Sequence, residues 1–185
     1  MFDEAFFNSV LKCCRWRKFS ASASAKGATT IATDVFAACG NDGVVGIFDE
    51  RAGRSTQHFT ASHSAVNTVE WHPAKEELLL TDGFDSLKLW DVRKTKSALF
   101  QLSAHNQRAK RSLLRPIFAR GGRYIATPGE GSQNLTYYRV DNGAVACTKF
   151  VGYTPTSLYE HGPSGHVFGP STSQLWMMPK SVLHF

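Results

Sequence analysis

The sequence predicts an all-β fold made of about four four-stranded antiparallel sheets in succession. Three observations carry this. Short runs of alternating apolar and polar residues recur along the 185-residue chain, each bounded by glycine, proline, asparagine or aspartate. Two of these runs end in an aromatic residue followed by aspartate, Phe48-Asp49 and Trp90-Asp91, about 42 residues apart, a spacing suited to repeats of a few strands each. The one stretch open to a helical reading, Asp3–Lys12, lacks a convincing cap.

The central stretch, Ser62–Arg93, is the clearest unit. His63 stands in a polar turn, and Val66–Trp71 alternates as a strand closed by the breaker pair His72-Pro73. Leu78–Thr81 is an apolar run followed by an expected tight turn at Asp82-Gly83, and Leu87–Trp90 is the next strand, ending in Asp91. Ser97–Leu102 supplies an outer strand. The preceding stretch repeats the logic. Val35–Cys39 and Val44–Asp49 flank Asn41-Asp42-Gly43, whose Asp-Gly pair suits positive backbone angles, and Gln57-His58-Phe59 is the outer strand. Before it, Ser9–Trp16 reads as an inner strand and Ser20–Thr30 as a polar loop.

A third unit runs from Leu113–Phe118 through the turn Arg120–Arg123 to Tyr124–Thr127 and Leu135–Val140, with Asp141-Asn142-Gly143 closing the hairpin to Ala144–Phe150. Tyr137-Tyr138 stands about where Trp-Asp stands in the central unit. Thr156–Tyr159, His166–Phe168 and Gln174–Met178 trace a fourth unit, with Trp176 late in its last strand. Residues 1–30 are set apart as an N-terminal segment, partly disordered or a remnant blade, and residues 31–185 as the repeated units.

The order His63, Val66-x-x-Val69-x-Trp71-x-Pro73, Leu78-Leu79-x-Thr81, Leu87-x-Leu89-Trp90-Asp91 resembles a WD-repeat. The resemblance implies a partial β-propeller of about four blades and a non-catalytic role as a protein-interaction scaffold. Rings of this kind usually close with more blades than four. The expectations are therefore a fragment of a longer chain, an open array completed by a partner or a second copy, or a blade hidden in the early residues. In WD-repeats a histidine, a serine or threonine, an aspartate and the tryptophan form a buried hydrogen-bonded network that stiffens the blade; the matching residues are His63, Thr81, Asp85 and Trp90. Trp71, Trp90, Phe118, Phe168 and Trp176 read as packing between blades.

The residues just after the Trp-Asp pair are more specific. Trp90-Asp91-Val92-Arg93, and less perfectly Phe48-Asp49-Glu50-Arg51, resemble the WDxR box of substrate receptors of cullin-4 ubiquitin ligases. The resemblance implies that Arg93 and Arg51, helped by Asp91 and Asp49, contact the ligase's adaptor protein. A pairing of each arginine within its own blade is the other role open to these residues. A complex-assembly or trafficking scaffold and a nucleic-acid- or chromatin-associated propeller are the alternative functions.

Composition bounds the rest. The chain is 42% hydrophobic with 13 Phe and 4 Trp, enough for a sizeable core, and carries a net charge of +6. Part of the excess lies in Arg108, Lys110, Arg111 and Arg115, candidates for contact with nucleic acid or an acidic partner. No run of 18 apolar residues exists, so no transmembrane helix is expected. The first residues place acids before the apolar part and bases after it, the reverse of a secretory signal. Cys13, Cys14, Cys39 and Cys147 lack metal-ligand spacing and read as reduced thiols of an intracellular protein, cytoplasmic or nuclear. No nucleophile, base and orienting acid fall at a recognisable spacing, and GxSxG, HExxH and P-loop motifs are absent. His63, His72, Asp85 and Asp91 therefore read as structural, and no enzyme activity, cofactor, metal or small-molecule substrate is expected.

Overall fold

The computed structural model describes residues 10–20, 30–84, 86–102, 114–128, 133–153, 155, 157–162, 164–170 and 175–179. Fifteen strands form four antiparallel sheets, and no α-helix occurs among the described residues. The chain divides into two compact units, residues 1–101 and 102–185.

The first sheet of unit 1 is β1 (Leu11–Ser20), β2 (Thr30–Gly40), β3 (Val44–Asp49) and β4 (Arg54–Thr60), paired in that order. The second is β5 (Val66–Trp71), β6 (Leu78–Gly83), β7 (Leu87–Asp91) and β8 (Phe100–Leu102), again in chain order. Such an up-and-down sheet is what short strands joined by tight turns dictate. The β2–β3 turn shows why the sequence bends there. Gly43 takes φ 77°, Asp42 Oδ1 accepts the Val44 N–H at 3.1 Å, and the Gly43 carbonyl accepts the N–H groups of Ala61 and Ser62 at 2.9 and 3.2 Å. That last pair ties the tip of the first sheet to the segment leading into the second. A Cβ at Gly43 would lie 2.2 Å from the Ser62 carbonyl oxygen, so close approach as well as φ requires glycine.

The two sheets of unit 1 share one core. Ala37, Cys39, Val45, Ile47 and Phe59 from the first pack against Val66, Val69, Trp71, Leu79 and Trp90 from the second. Phe59 and Trp90 meet at 4.8 Å between ring centroids, tilted by 53°. Leu79 is fully buried, and burial of a leucine contributes roughly 1.5–3 kcal/mol. Polar contacts run along β1 and β5. Lys12 Nζ donates to Asn67 Oδ1 at 2.9 Å, Arg15 Nε to Glu70 Oε2 at 3.2 Å, and Trp71 Nε1 to the Arg15 carbonyl at 3.1 Å. Every residue of β6 is buried, whereas the outer strand β4 alternates with one buried residue in seven.

The strands differ from the sequence pattern in bounded ways. Asp82 and Gly83 do not form a turn: they lie within β6, Asp82 opposite Thr68 and Leu87 and fully buried, and the chain reverses only after Gly83, whose N–H donates to the Ser86 carbonyl at 3.0 Å. Leu11 and Lys12, the described end of the stretch open to a helical reading, are strand. Strand β1 runs past Trp16 to Ser20, pairing with β2 from Thr30 onward, and β8 is only three residues long.

In unit 2, β9 (Ile117–Ala119), β10 (Tyr124–Pro128), β11 (Asn134–Arg139) and β12 (Val145–Phe150) form the third sheet, and β13 (Tyr159–His161), β14 (His166–Pro170) and β15 (Leu175–Met178) the described part of the fourth. Arg120, Gly121 and Gly122 all take positive φ in the β9–β10 turn. The non-glycine member is held by Glu160, whose two carboxylate oxygens accept the Arg120 backbone N–H at 2.8 and 2.9 Å. Ala126, Leu135 and Tyr137 of the third sheet share a core with Val167 and Met178 of the fourth and with Leu158, just before β13, and Phe118 is buried. The Trp176 backbone lies in β15 opposite Gly169.

Candidate partner-binding site

The two Asp-x-Arg segments adopt one geometry. At the end of β7 the chain leaves the sheet, and the Arg93 backbone N–H donates to Asp91 Oδ1 at 2.9 Å. The Arg93 side chain folds back over the same carboxylate, Nε to Oδ1 at 2.9 Å and Nη2 to Oδ2 at 2.7 Å. At the end of β3 the pattern recurs. Arg51 N–H donates to Asp49 Oδ1 at 3.0 Å, Nε to Oδ1 at 3.2 Å and Nη2 to Oδ2 at 3.1 Å. The spacing of one residue makes this possible, because an aspartate at a strand end accepts the N–H two residues on and presents its second oxygen to the returning guanidinium. Here the 3₁₀ turn Glu50–Ala52 completes the exit, closed by Gly53 at φ 62°.

Each guanidinium also faces a second carboxylate. Arg93 Nη2 lies 4.0 Å from Glu77, and Arg51 Nε lies 3.3 Å from Asp34. Neither acid is apparent from the Asp-x-Arg motif; strand pairing brings both there, Asp34 from β2 and Glu77 from the turn before β6. The side-chain hydrogen bond from Arg93 holds the Asp91 carboxyl below the usual carboxylate range, and Arg51 does the same to Asp49. The arginines are nonetheless on the surface, with side chains 67% and 72% exposed, while Asp91 is 11% exposed. The arrangement is a cation fixed in direction by its own blade and open to solvent. Exposed ion pairs of this kind add little to stability.

The residues matched to a blade network separate. Trp90 Nε1 donates to Thr81 Oγ1 at 2.9 Å, with both residues buried. His63 is exposed in its turn and takes no part in that bond, and Asp85 lies outside the described residues. His72 is buried, and its Nδ1 accepts the N–H groups of Ala74 and Lys75 at 3.0 and 2.9 Å, which uses the ring to cap a turn. Of the groups whose types could suggest acid–base chemistry, His63 is exposed in its turn, His72 caps a turn and Asp91 is held by Arg93. Among the described residues no cluster of histidine, cysteine, aspartate and glutamate is placed to hold a metal ion. Of the basic candidates, Arg108, Lys110 and Arg111 lie outside the described residues, and Arg115 is exposed, its backbone bridging to Ser157. A cleft of about 460 Å³ between β1 and β5, lined by Arg15, Trp16, Lys18, Glu70 and Trp71, has no signal in the sequence pattern; it forms only where two inner strands meet. Among the described residues no helix is long and apolar enough to cross a membrane.

No family model and no curated protein matches the sequence. Among solved structures 956 chains match, a number that marks a widely used fold and no particular partner. One of them is a chain from the crystal structure of a mitotic checkpoint complex, 18% identical with a TM-score of 0.60, the match covering 82% of this chain and 56% of that one. The chain therefore spans little more than half the length of that match. At this identity the likeness is one of fold. Together with the successive antiparallel sheets, it gives the protein the fold of a partial β-propeller.

Proposed function

We propose that the protein is a non-catalytic interaction scaffold that engages a protein partner through Arg93 and Arg51, each steadied by Asp91 or Asp49. The observation that carries this is the repetition of one fork, atom for atom, at the same place in two successive blades of unit 1. A guanidinium offers five donors in a plane and suits the desolvated centre of an interface. A side chain already held in one direction loses less conformational freedom when a partner covers it. Both guanidiniums remain largely exposed beyond the aspartates they cover, and the recurrence of one geometry across two blades suits an external contact. The solved chain of like fold comes from a protein complex, which accords with such a role.

The more specific reading is that the partner is the adaptor of a cullin-4 ubiquitin ligase, with the chain acting as substrate receptor. The test is affinity purification with mass spectrometry of the native chain against an Arg51→Ala, Arg93→Ala variant whose thermal unfolding has first been matched to the native. Loss of the adaptor from the variant supports the receptor reading. Loss of a different protein supports a scaffold that uses the same forks. An unchanged partner set sinks both and leaves each fork as a contact within its own blade.

A further inference from the structure

We propose that Cys13 and Cys39 are an oxidisable pair, closing to an intrachain disulfide that pins β1 to β2. The two residues are direct partners across the antiparallel ladder. Opposed residues in such a ladder lie on one face with Cα atoms about 4.5–5.5 Å apart, inside the roughly 4.4–6.8 Å that a disulfide spans. Cys39 is fully buried in the core shared by the two sheets of unit 1, and Cys13 packs half-buried on the same core. Cys13 Sγ also lies 3.9 Å from the Val69 carbonyl oxygen. Cys13 is thus the member that solvent reaches first, and Cys39 the one that resolves.

Comparison of the two blades shows why a thiol is free for this use. Cys39 occupies in the first blade the place that Thr81 occupies in the second, at the same offset that relates Phe48 to Trp90. Thr81 is committed to the Trp90 indole. Phe48 has no N–H to serve, so position 39 faces across the ladder instead, to Cys13, where the second blade has Val69 opposite Thr81. The hydrogen bond between the two thiols, and then burial, push the Cys39 thiol well above its ordinary value. Cys39 therefore holds its proton until it resolves, and the first attack falls to Cys13. Cys14 pairs with Ala38, and the pleat sends its exposed side chain to the opposite face of the sheet from Cys13.

The oxidant is a hydroperoxide. The Cys13 thiolate attacks its terminal oxygen, the O–O bond breaks, and Cys13 becomes a sulfenic acid. With hydrogen peroxide the departing hydroxide takes up a proton as water. Cys39 then gives up its proton and attacks the Cys13 sulfur; the S–S bond forms, the S–O bond breaks, and a second water leaves. Two thiols lose two electrons and two protons, and the peroxide is reduced to two waters.

The test uses the full chain, reduced, treated with hydrogen peroxide, then alkylated under denaturing conditions and mapped by peptide mass spectrometry. The expected result is that two of the four thiols escape alkylation in one linked species joining Cys13 to Cys39, reversed by dithiothreitol and retained in a Cys14→Ser variant. A Cys39→Val variant should lose the link, and the native map stands by itself should that variant misfold. Any other pairing, a dimer through Cys14, Cys13 driven to the sulfinic acid with Cys39 still alkylated, or four reactive thiols after treatment overturns the proposal.

Discussion

The hydrogen bond between Trp90 and Thr81 offers a direct measure of what holds the second blade together. Thr81 is 2% and Trp90 4% exposed, and the indole N–H has the threonine oxygen at 2.9 Å. Thr81→Val keeps the volume and removes the acceptor, which leaves a buried N–H without its partner and costs about 1–3 kcal/mol. For a chain of this size the middle of that range lowers Tm by about 4–8 °C. Trp90→Phe also removes the donor, but empties space beside Phe59, whose ring lies 4.8 Å away, so it should cost more, about 2–4 kcal/mol. The double variant is the informative one. It installs in the second blade the kind of pair the first blade already carries, Phe48 with Cys39, in which neither side needs the other. Its cost should fall short of the sum of the singles by about 1–2 kcal/mol. Urea unfolding followed by circular dichroism gives the totals, and hydrogen exchange at the amides of β6 and β7 keeps the reading within unit 1. A Thr81→Val variant within about 0.5 kcal/mol of the native chain, or strictly additive singles, would refute the reasoning.

Two further outcomes rest on the same geometry. Gly43→Ala should destabilise unit 1 by more than about 1 kcal/mol, because the added carbon meets the backbone oxygens of Ser62 and Ser64 at 2.2 and 2.7 Å and the φ of 77° is strained for alanine; a Tm unchanged from the native chain contradicts that close approach. Glu70 has its carboxyl pushed up by burial, only partly offset by Arg15. A carboxyl that binds its proton more tightly when folded loses stability as pH rises from the ordinary glutamate value through the folded one. The native chain should therefore lose stability relative to Glu70→Gln as pH rises above the ordinary glutamate value, read as the difference in Tm at each pH. The opposite trend would mean that the Arg15 ion pair outweighs desolvation.

Much of this fold can be read residue by residue. Val66–Trp71 alternates and is β5 with the same bounds, and the glycines at 43 and 143 take the positive φ that their Asp-Gly and Asn-Gly turns require. These features are local: the pleat and the turn act within a few residues. Where the expectation failed, a non-local contact intervened. Asp82-Gly83 has the composition of a turn, but burial against Thr68 and Leu87 keeps it in β6 and moves the reversal beyond Gly83. The candidate site divides the same way. Asp91-Val92-Arg93 and Asp49-Glu50-Arg51 are visible as motifs, yet nothing in their spacing says that each guanidinium folds back on its aspartate or that Glu77 and Asp34 stand behind.

The sequence by itself thus determined the strand succession and the turns at Gly43 and Gly143, because alternation and turn chemistry are properties of neighbouring residues. Only the tertiary structure decided that His63 stands apart from Trp90 and Thr81, that the inner strands β1 and β5 meet along Lys12–Asn67 and Arg15–Glu70, and that Cys13 faces Cys39. Those facts depend on ladder register and on the burial of one sheet against the next, which residues far apart in the chain settle together as the core closes.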